Sequence, residues 1–243
     1  AEGDLRKRVE RRELLDLVWV VSTLHNFAVG VSQLHSGLIF HNDLKPANAL
    51  IFGDQGSKIA DLGRVTTPLF KVAHDEDQCA GDCRFAPPEQ LYPNNAQREQ
   101  FDRFELFRAG DLYNLGSLAH YLLTGRSVTL GVVERLRPEL RPRNAFFGGG
   151  WTDTFDNVMP HWSAAFVDLM REASDVVPDD WSPFLKGEFD TLMKLIFSLC
   201  EPDVAARGFP SQIGRPNQFD LQRYISALDL QRRKLMIRAP RAV

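Results

Sequence analysis

The sequence predicts a mainly α protein, a helical bundle around one buried central helix, with a single short β-hairpin let into it. Three observations lead there. Apolar residues Leu17, Val20, Leu24, Phe27, Val31 and Leu34 recur every three or four positions, which lays one stripe along a long helix. Residues 111–124 are apolar on nearly every side, broken only by Asn114, Ser117, His120 and Thr124, so this helix belongs in the middle of the core. Two short apolar runs, Ala49-Leu50-Ile51-Phe52 and Lys58-Ile59-Ala60, flank the turn-forming Gly53-Asp54-Gln55-Gly56 as the arms of a hairpin do.

Composition agrees with that reading. A chain of 243 residues with 44% hydrophobic and 25% charged side chains can close a core, as one large domain or two small ones. Its longest unbroken apolar stretches fall short of the ~20 residues that cross a bilayer, so no membrane span is expected. A formal net charge of −3 leaves no cationic excess for a polyanion, which argues against nucleic acid as a partner. Cys79, Cys83 and Cys200 are too few for a disulfide framework and point to a reducing, cytoplasmic setting. With only His74 nearby, Cys79 and Cys83 do not complete the four ligands of a zinc site.

Taken in order, the first helix ends at Gly37, a residue type that commonly terminates helices. Leu38-Ile39-Phe40 then leads into a polar loop over 41–48, just before the hairpin. Residues 64–85 mix Thr, Pro, His, acids and Gly without a sustained period, and an irregular segment of that length is usually functional or disordered. Beyond the central helix, Pro138, Pro142 and Gly148-Gly149-Gly150 punctuate residues 126–160. Further helices are expected over 164–173, 188–200 and 219–236. Trp151, Trp162 and Trp181 are expected in packing, and the basic run 231–234 with Arg238 and Arg241 at the solvated end of the last helix. No repeat or linker divides the chain.

The chemistry lies in polar residues that stand in a fixed order: HNDLKPAN at 41–48, ADLG at 60–63, APPE at 86–89, and Asp111 with Gly116 on the buried helix. Together they resemble the C-terminal lobe of a Ser/Thr-type protein kinase. That family sets its catalytic loop between a long helix and a short strand pair. Its metal motif follows the pair, an APE motif closes the activation segment, and an Asp-led helix is buried behind them. HxDxxxxN alone is weak, since small-molecule phosphotransferases carry it too, but four motifs in register are specific. The resemblance is firm over 3–125, looser over 126–186, and returns in the last two helices.

The resemblance implies phosphoryl transfer from Mg-ATP to a hydroxyl of a protein substrate. Asp43 would accept the hydroxyl proton, Lys45 would meet the transferring phosphate, and Asn48 and Asp61 would coordinate Mg2+ through hard oxygens. Asp4 corresponds to the position that meets the ATP ribose and Leu50 to the floor under the adenine, while Lys45 within DLKPAN resembles the Ser/Thr class. Structural roles are also implied: His41 packing on Leu62, Asp111 binding backbone amides of the catalytic loop, and Glu89 pairing with Arg207 of PDVAAR.

Three positions depart from the family pattern. Asn42 replaces the Arg that pairs with a phosphorylated activation loop, Leu62 replaces the Phe of DFG, and Asp82 stands where Thr is usual. Thr66 and Thr67 stand as candidate self-phosphorylation sites. Because AEGDL resembles the stretch after a kinase hinge, residues 1–243 are expected to be one lobe of a longer chain. The Gly-rich loop, strand lysine and partner glutamate are then expected in an upstream N-terminal lobe, without which nucleotide should bind poorly. Two readings from other classes stay open: a pseudokinase that uses the fold as a binding module, and a small-molecule phosphotransferase, whose relatives generally lack the APE segment and the Asp-led helix.

Overall fold

The chain was analysed as a computed structural model that describes residues 3–11, 16–52, 56–73, 77, 79–92 and 100–238. Its elements in chain order are β1 (Gly3–Asp4), α1 (Leu5–Arg11), α2 (Leu17–Ser36), β2 (Ala49–Ile51), β3 (Ser57–Ile59) and α3 (Pro88–Leu91). There follow α4 (Arg103–Thr124), α5 (Val128–Arg135), α6 (Phe155–Glu172), α7 (Pro183–Leu199) and α8 (Gln222–Arg238). The expected mainly α bundle is present, and the hairpin sits where the alternation of short apolar runs and turn residues placed it.

Helix α2 starts at Asp16, whose side chain accepts the Trp19 N–H at 2.9 Å, and it buries the apolar stripe read from the sequence. By length and composition it is the one described helix apolar enough to cross a membrane, yet half of that window is buried inside the protein. It packs on α8, α4 and β3, as a core helix does. The helix ends at Gly37 as expected, though without the left-handed backbone there. Gly37 has an ordinary φ of −88°, and the left-handed turn falls on Leu38, at φ 56°. The reversal thus rests on a residue with a Cβ, one that glycine would adopt with less strain.

At the centre lies α4, with an unbroken buried run from Ala109 to His120. It begins eight residues before the expected start, at a reciprocal cap in which Asp102 accepts from the Glu105 N–H and Glu105 accepts from the Asp102 N–H. Its approach to α7 depends on Gly116: a Cβ there would meet Cys200 Sγ at 2.5 Å and Leu199 Cβ at 2.7 Å. The β-hairpin is shorter than expected, its turn residues 53–55 lie outside the described residues, and β1 adds an edge strand. The ladder is antiparallel in the order β1-β2-β3, with Asp4 opposite Leu50 and Leu50 opposite Lys58.

Residues 126–160 are not merely punctuated loop, because they contain α5 and the first turns of α6. Gly131 sits inside α5 because the Leu169 side chain of α6 comes so close that a Cβ would meet it at 2.7 Å. Pro160 lies inside α6, where it removes a helix hydrogen bond. Burial of Phe155, Val158, Trp162 and Phe166 on the same helix holds it in place. The tryptophans pack as expected: Trp162 is fully enclosed, and Trp151 and Trp181 lean on the core. Helices α7 and α8 match two expected ones within a turn or so, and Arg241 lies outside the described residues.

His120 couples the core to pH. Its Nδ1–H donates to the Arg126 carbonyl at 2.7 Å, which sets a neutral tautomer and leaves Nε2 buried without a described partner. Burial, only partly opposed by that carbonyl, pushes its pKa down to about 4. The unfolded chain takes up this proton below about pH 6.5, whereas the folded chain does so only near 4. The unfolded state therefore binds more protons in between, and stability falls as pH drops through that window. On the order of 3 kcal/mol should be lost between pH 7 and 4 through this group. Urea unfolding at both pH values should show a shallower loss in His120→Leu than in the parent.

Candidate active site

The polar loop over 41–48 is held from behind by one buried carboxylate. Asp111, in the middle of α4, accepts the His41 N–H on Oδ2 at 2.8 Å and the Asn42 N–H on Oδ1 at 2.8 Å. His35 of α2 donates its Nε2–H to Oδ2 at 2.9 Å. A buried charge needs such donors, and these three join α2, α4 and the loop. The backbone contacts are those expected of Asp111, while His35 went unnoticed because its place on the periodic face of α2 reads as packing.

The loop then gathers three of the expected side chains. Asp43 is nearly buried, and its Oδ2 accepts from Lys45 Nζ at 2.7 Å and from Asn48 Nδ2 at 3.0 Å. Asn48 Nδ2 also donates to the Asp43 carbonyl at 2.9 Å, which fixes its amide and leaves Oδ1 as its acceptor end. Asp43 Oδ1 accepts the Asp82 N–H at 2.8 Å. A carboxylate offers about four lone-pair positions, and three of them are thus taken by donors among the described residues. The fourth, on Oδ1, remains.

Asp61 follows a residue that the loop holds, and its own Oδ1 accepts the Gly63 N–H at 3.2 Å. The Ala60 N–H donates to the Asn48 carbonyl at 2.8 Å, and the Ala60 carbonyl accepts from His41 Nε2 at 3.3 Å, so both ends of the loop clamp the residue before Asp61. Asp61 itself is exposed and left-handed, with φ 61°, and among the described residues Asn42 is the other polar one so strained, with φ 60°. Leu62 is 50% exposed, so the closed packing of His41 on Leu62 is not complete here. His41 is instead held by polar contacts, its Nδ1 accepting the Asp43 N–H at 3.3 Å. Leu50 stands half-buried on β2 opposite Asp4 in the ladder, and the Asp4 side chain lies outside the described residues.

The segment after Asp61 is tied to the loop without a charge. Asn42 Nδ2 donates to the carbonyls of Phe40 and Arg64 and to Thr66 Oγ1, and Phe40 and Thr66 exchange backbone bonds at 2.9 and 3.0 Å. Thr66 and Thr67 are consequently buried, which takes their hydroxyls out of reach as modification sites in this conformation. Farther along, Asp82 gains a role that its side-chain type did not announce: it is the backbone amide that meets Asp43. Burial works against its charge, but hydrogen bonds from Arg84 outweigh it and hold the carboxyl below the usual carboxylate value.

Cys79 and Cys83 are free, half-buried thiols. Burial, together with the neighbouring Cys83, pushes the Cys79 thiol up to about 12. His74 lies outside the described residues, and no group of three or more His, Cys, Asp or Glu among the described ones could hold a metal. The far end of the segment is anchored as expected. Glu89 and Arg207 form a bidentate pair at 2.7 and 2.9 Å, both buried, and Arg207 also donates to the carbonyls of Ala109 and Glu201.

Gly81 makes the Asp82 contact possible, because a Cβ there would lie 2.3 Å from the Asn42 carbonyl oxygen and 3.0 Å from Asp43 Oδ1. Gly81→Ala should therefore push the segment off the loop. The expected outcome is a loss of about 1–3 kcal/mol in thermal or urea unfolding. Amide exchange at Asp82 should quicken by roughly tenfold or more, since the lost bond to Asp43 is charge-assisted.

Comparison with known proteins agrees with this geometry. A family model described as the protein kinase domain matches residues 1–213. The serine/threonine-protein kinase PknL of Mycobacterium tuberculosis is 29% identical over 129 residues, which is 53% of this chain and 30% of that kinase. A probable myosin light chain kinase of Dictyostelium discoideum is 34% identical over 97 residues, covering 39% of this chain and 27% of the relative. Mitogen-activated protein kinase kinase 7 of Arabidopsis thaliana is 33% identical over 96 residues, covering 40% and 29%. The matched stretch thus spans less than a third of the length of these curated relatives. With the family model covering most of its length and the site assembled as described, the chain belongs to the protein kinase domain family.

Proposed function

We propose that this chain supplies the catalytic loop, metal motif and activation segment of a Ser/Thr protein kinase that transfers phosphate from ATP to protein hydroxyls. The observation that carries the reading is the state of Asp43. Three donors fix its carboxylate and one lone-pair position on Oδ1 stays open, which suits a group that must accept a proton from one direction. Lys45, bonded to the same carboxylate, places a fixed positive charge beside the incoming oxygen, where negative charge on a phosphoryl group would be stabilised.

The residues present also fit Mg2+. Asn48 Oδ1, freed because its Nδ2 is held by Asp43, and the exposed Asp61 carboxylate are two hard oxygen donors. Mg2+ is commonly held by one or two protein oxygens with water and phosphate completing its shell. When bound, the ion would supply charge neutralisation on the triphosphate. Leu50 and Asp4, opposed in the ladder beside these residues, mark the nucleoside end. We assign residues 1–243 to the C-terminal lobe and expect an N-terminal lobe to complete the nucleotide site. Asn42, a neutral amide bonded to Phe40, Arg64 and Thr66, makes the start of the segment independent of a phosphate at that contact.

Radiolabelled phosphate transfer by the full protein tests the reading. Asp43→Asn should lower transfer by roughly 10²–10⁴-fold while leaving nucleotide binding in place. Parent protein that transfers nothing would instead support the binding-module alternative. Asp61→Gly separates site from scaffold: glycine accepts the left-handed backbone, so thermal stability should hold or rise while Mg-dependent transfer is lost.

A further inference from the structure

We infer that the acceptor segment of the protein substrate is acidic, because the cavity beside the catalytic loop is lined mainly by cations; this deepens the kinase reading above and rests on it. The cavity measures about 310 Å³ and takes Lys45, Pro46 and Ala47 of the loop into its wall. The wall also includes Arg6 of α1, Arg84 of the activation segment and Arg126 after α4. Lys45 is already bonded to Asp43 behind the wall, so the acidic preference rests on the exposed Arg84 and Arg126. Asp82 is the one carboxylate among the wall residues.

That carboxylate is already engaged. Asp82 Oδ1 accepts from the Arg84 N–H and Nε–H and Oδ2 from Nη2, and the side chain is only 12% exposed. Arg84 remains 51% exposed and uses two of its five side-chain N–H groups in that pair, which leaves part of its planar fork open. Arg126 reaches Glu134 through Nη2, but Glu134 is not part of the wall, and Arg126 keeps 45% of its surface exposed. Ala47, between Pro46 and Asn48, brings no charge that would offset them.

Phe85 and Tyr121, with ring centroids 6.1 Å apart, give the same cavity an apolar part against which a peptide can lie. A segment carrying Asp or Glu around its hydroxyl residue meets these guanidinium forks with the geometry that carboxylates and arginines share. A basic segment brings like charges together. Each exposed pair is worth roughly a two- to fivefold change in affinity, so two or three acting together give about tenfold, and added salt should erode it.

The test uses the full protein and three peptides of equal length, each with one Ser flanked by Glu, Ala or Arg. KM is read from phosphate transfer, and Kd by anisotropy on versions whose Ser is replaced by Ala. The Glu-flanked peptide should bind and react with KM and Kd about tenfold below the Arg-flanked one, the gap narrowing at about 0.5 M salt. Arg126→Gln should cut the Glu-over-Ala preference about threefold. Equal affinities, or a preference for Arg, overturn the inference and leave the kinase reading intact wherever transfer is seen. Tight binding of the Glu peptide with no transfer to any peptide keeps the cationic site for acidic segments and overturns the catalytic reading.

Discussion

Everything at the site hangs on the Asp111 carboxylate. It is buried in the middle of a helix that is itself enclosed, and it is compensated by two backbone amides of the loop and one imidazole of α2. A charge in that position is tolerable only while all three donors stay in place, so the core cannot relax without losing the loop, nor the loop without exposing an unpaired charge in the core. The geometry of residues 41–48 is therefore a property of the bundle, and the strained backbone of Asn42 persists because its surroundings over-determine it.

The same device recurs outward from that point. Asp43 is oriented by a lysine, an amide side chain and the backbone N–H of Asp82, and Glu89 is held by Arg207. Each carboxylate joins pieces of chain that are far apart in sequence, and each is bonded on both oxygens. The bonds from Asn42 do the corresponding work without charge, closing the segment around Arg64 and Thr66 onto the loop. Hydrophobic packing builds the bundle, and these polar cross-links decide where the loops lie upon it.

Much of this was legible in the sequence because two periodicities and one ordered set of motifs pointed to the same arrangement. The stripe on α2 and the apolar coat of α4 gave the core, and the residue order from His41 to Glu89 placed the site. What escaped had a common cause in tertiary contact. Residues 126–160 read as punctuated loop because Pro138, Pro142 and the run Gly148-Gly149-Gly150 disfavour helix, yet within them Gly131 of α5 admits Leu169 and Pro160 of α6 is carried by the burial of its helix. Leu38 carries the turn that Gly37 suggested. His35 looked like one more core position, and Asp82 acts through its amide, a group that every residue but proline has.

The pairing of Glu89 with Arg207 spans 118 positions, and that of His41 with Asp111 spans 70. During synthesis, the loop emerges well before the carboxylate that orients it, and Glu89 long before Arg207. Closing contacts so remote in sequence comes late, since the intervening chain must first be ordered. A nascent chain therefore carries the residues of the 41–48 loop before it has the partners that fix their arrangement, which comes only once α4 and the segment around Arg207 have packed.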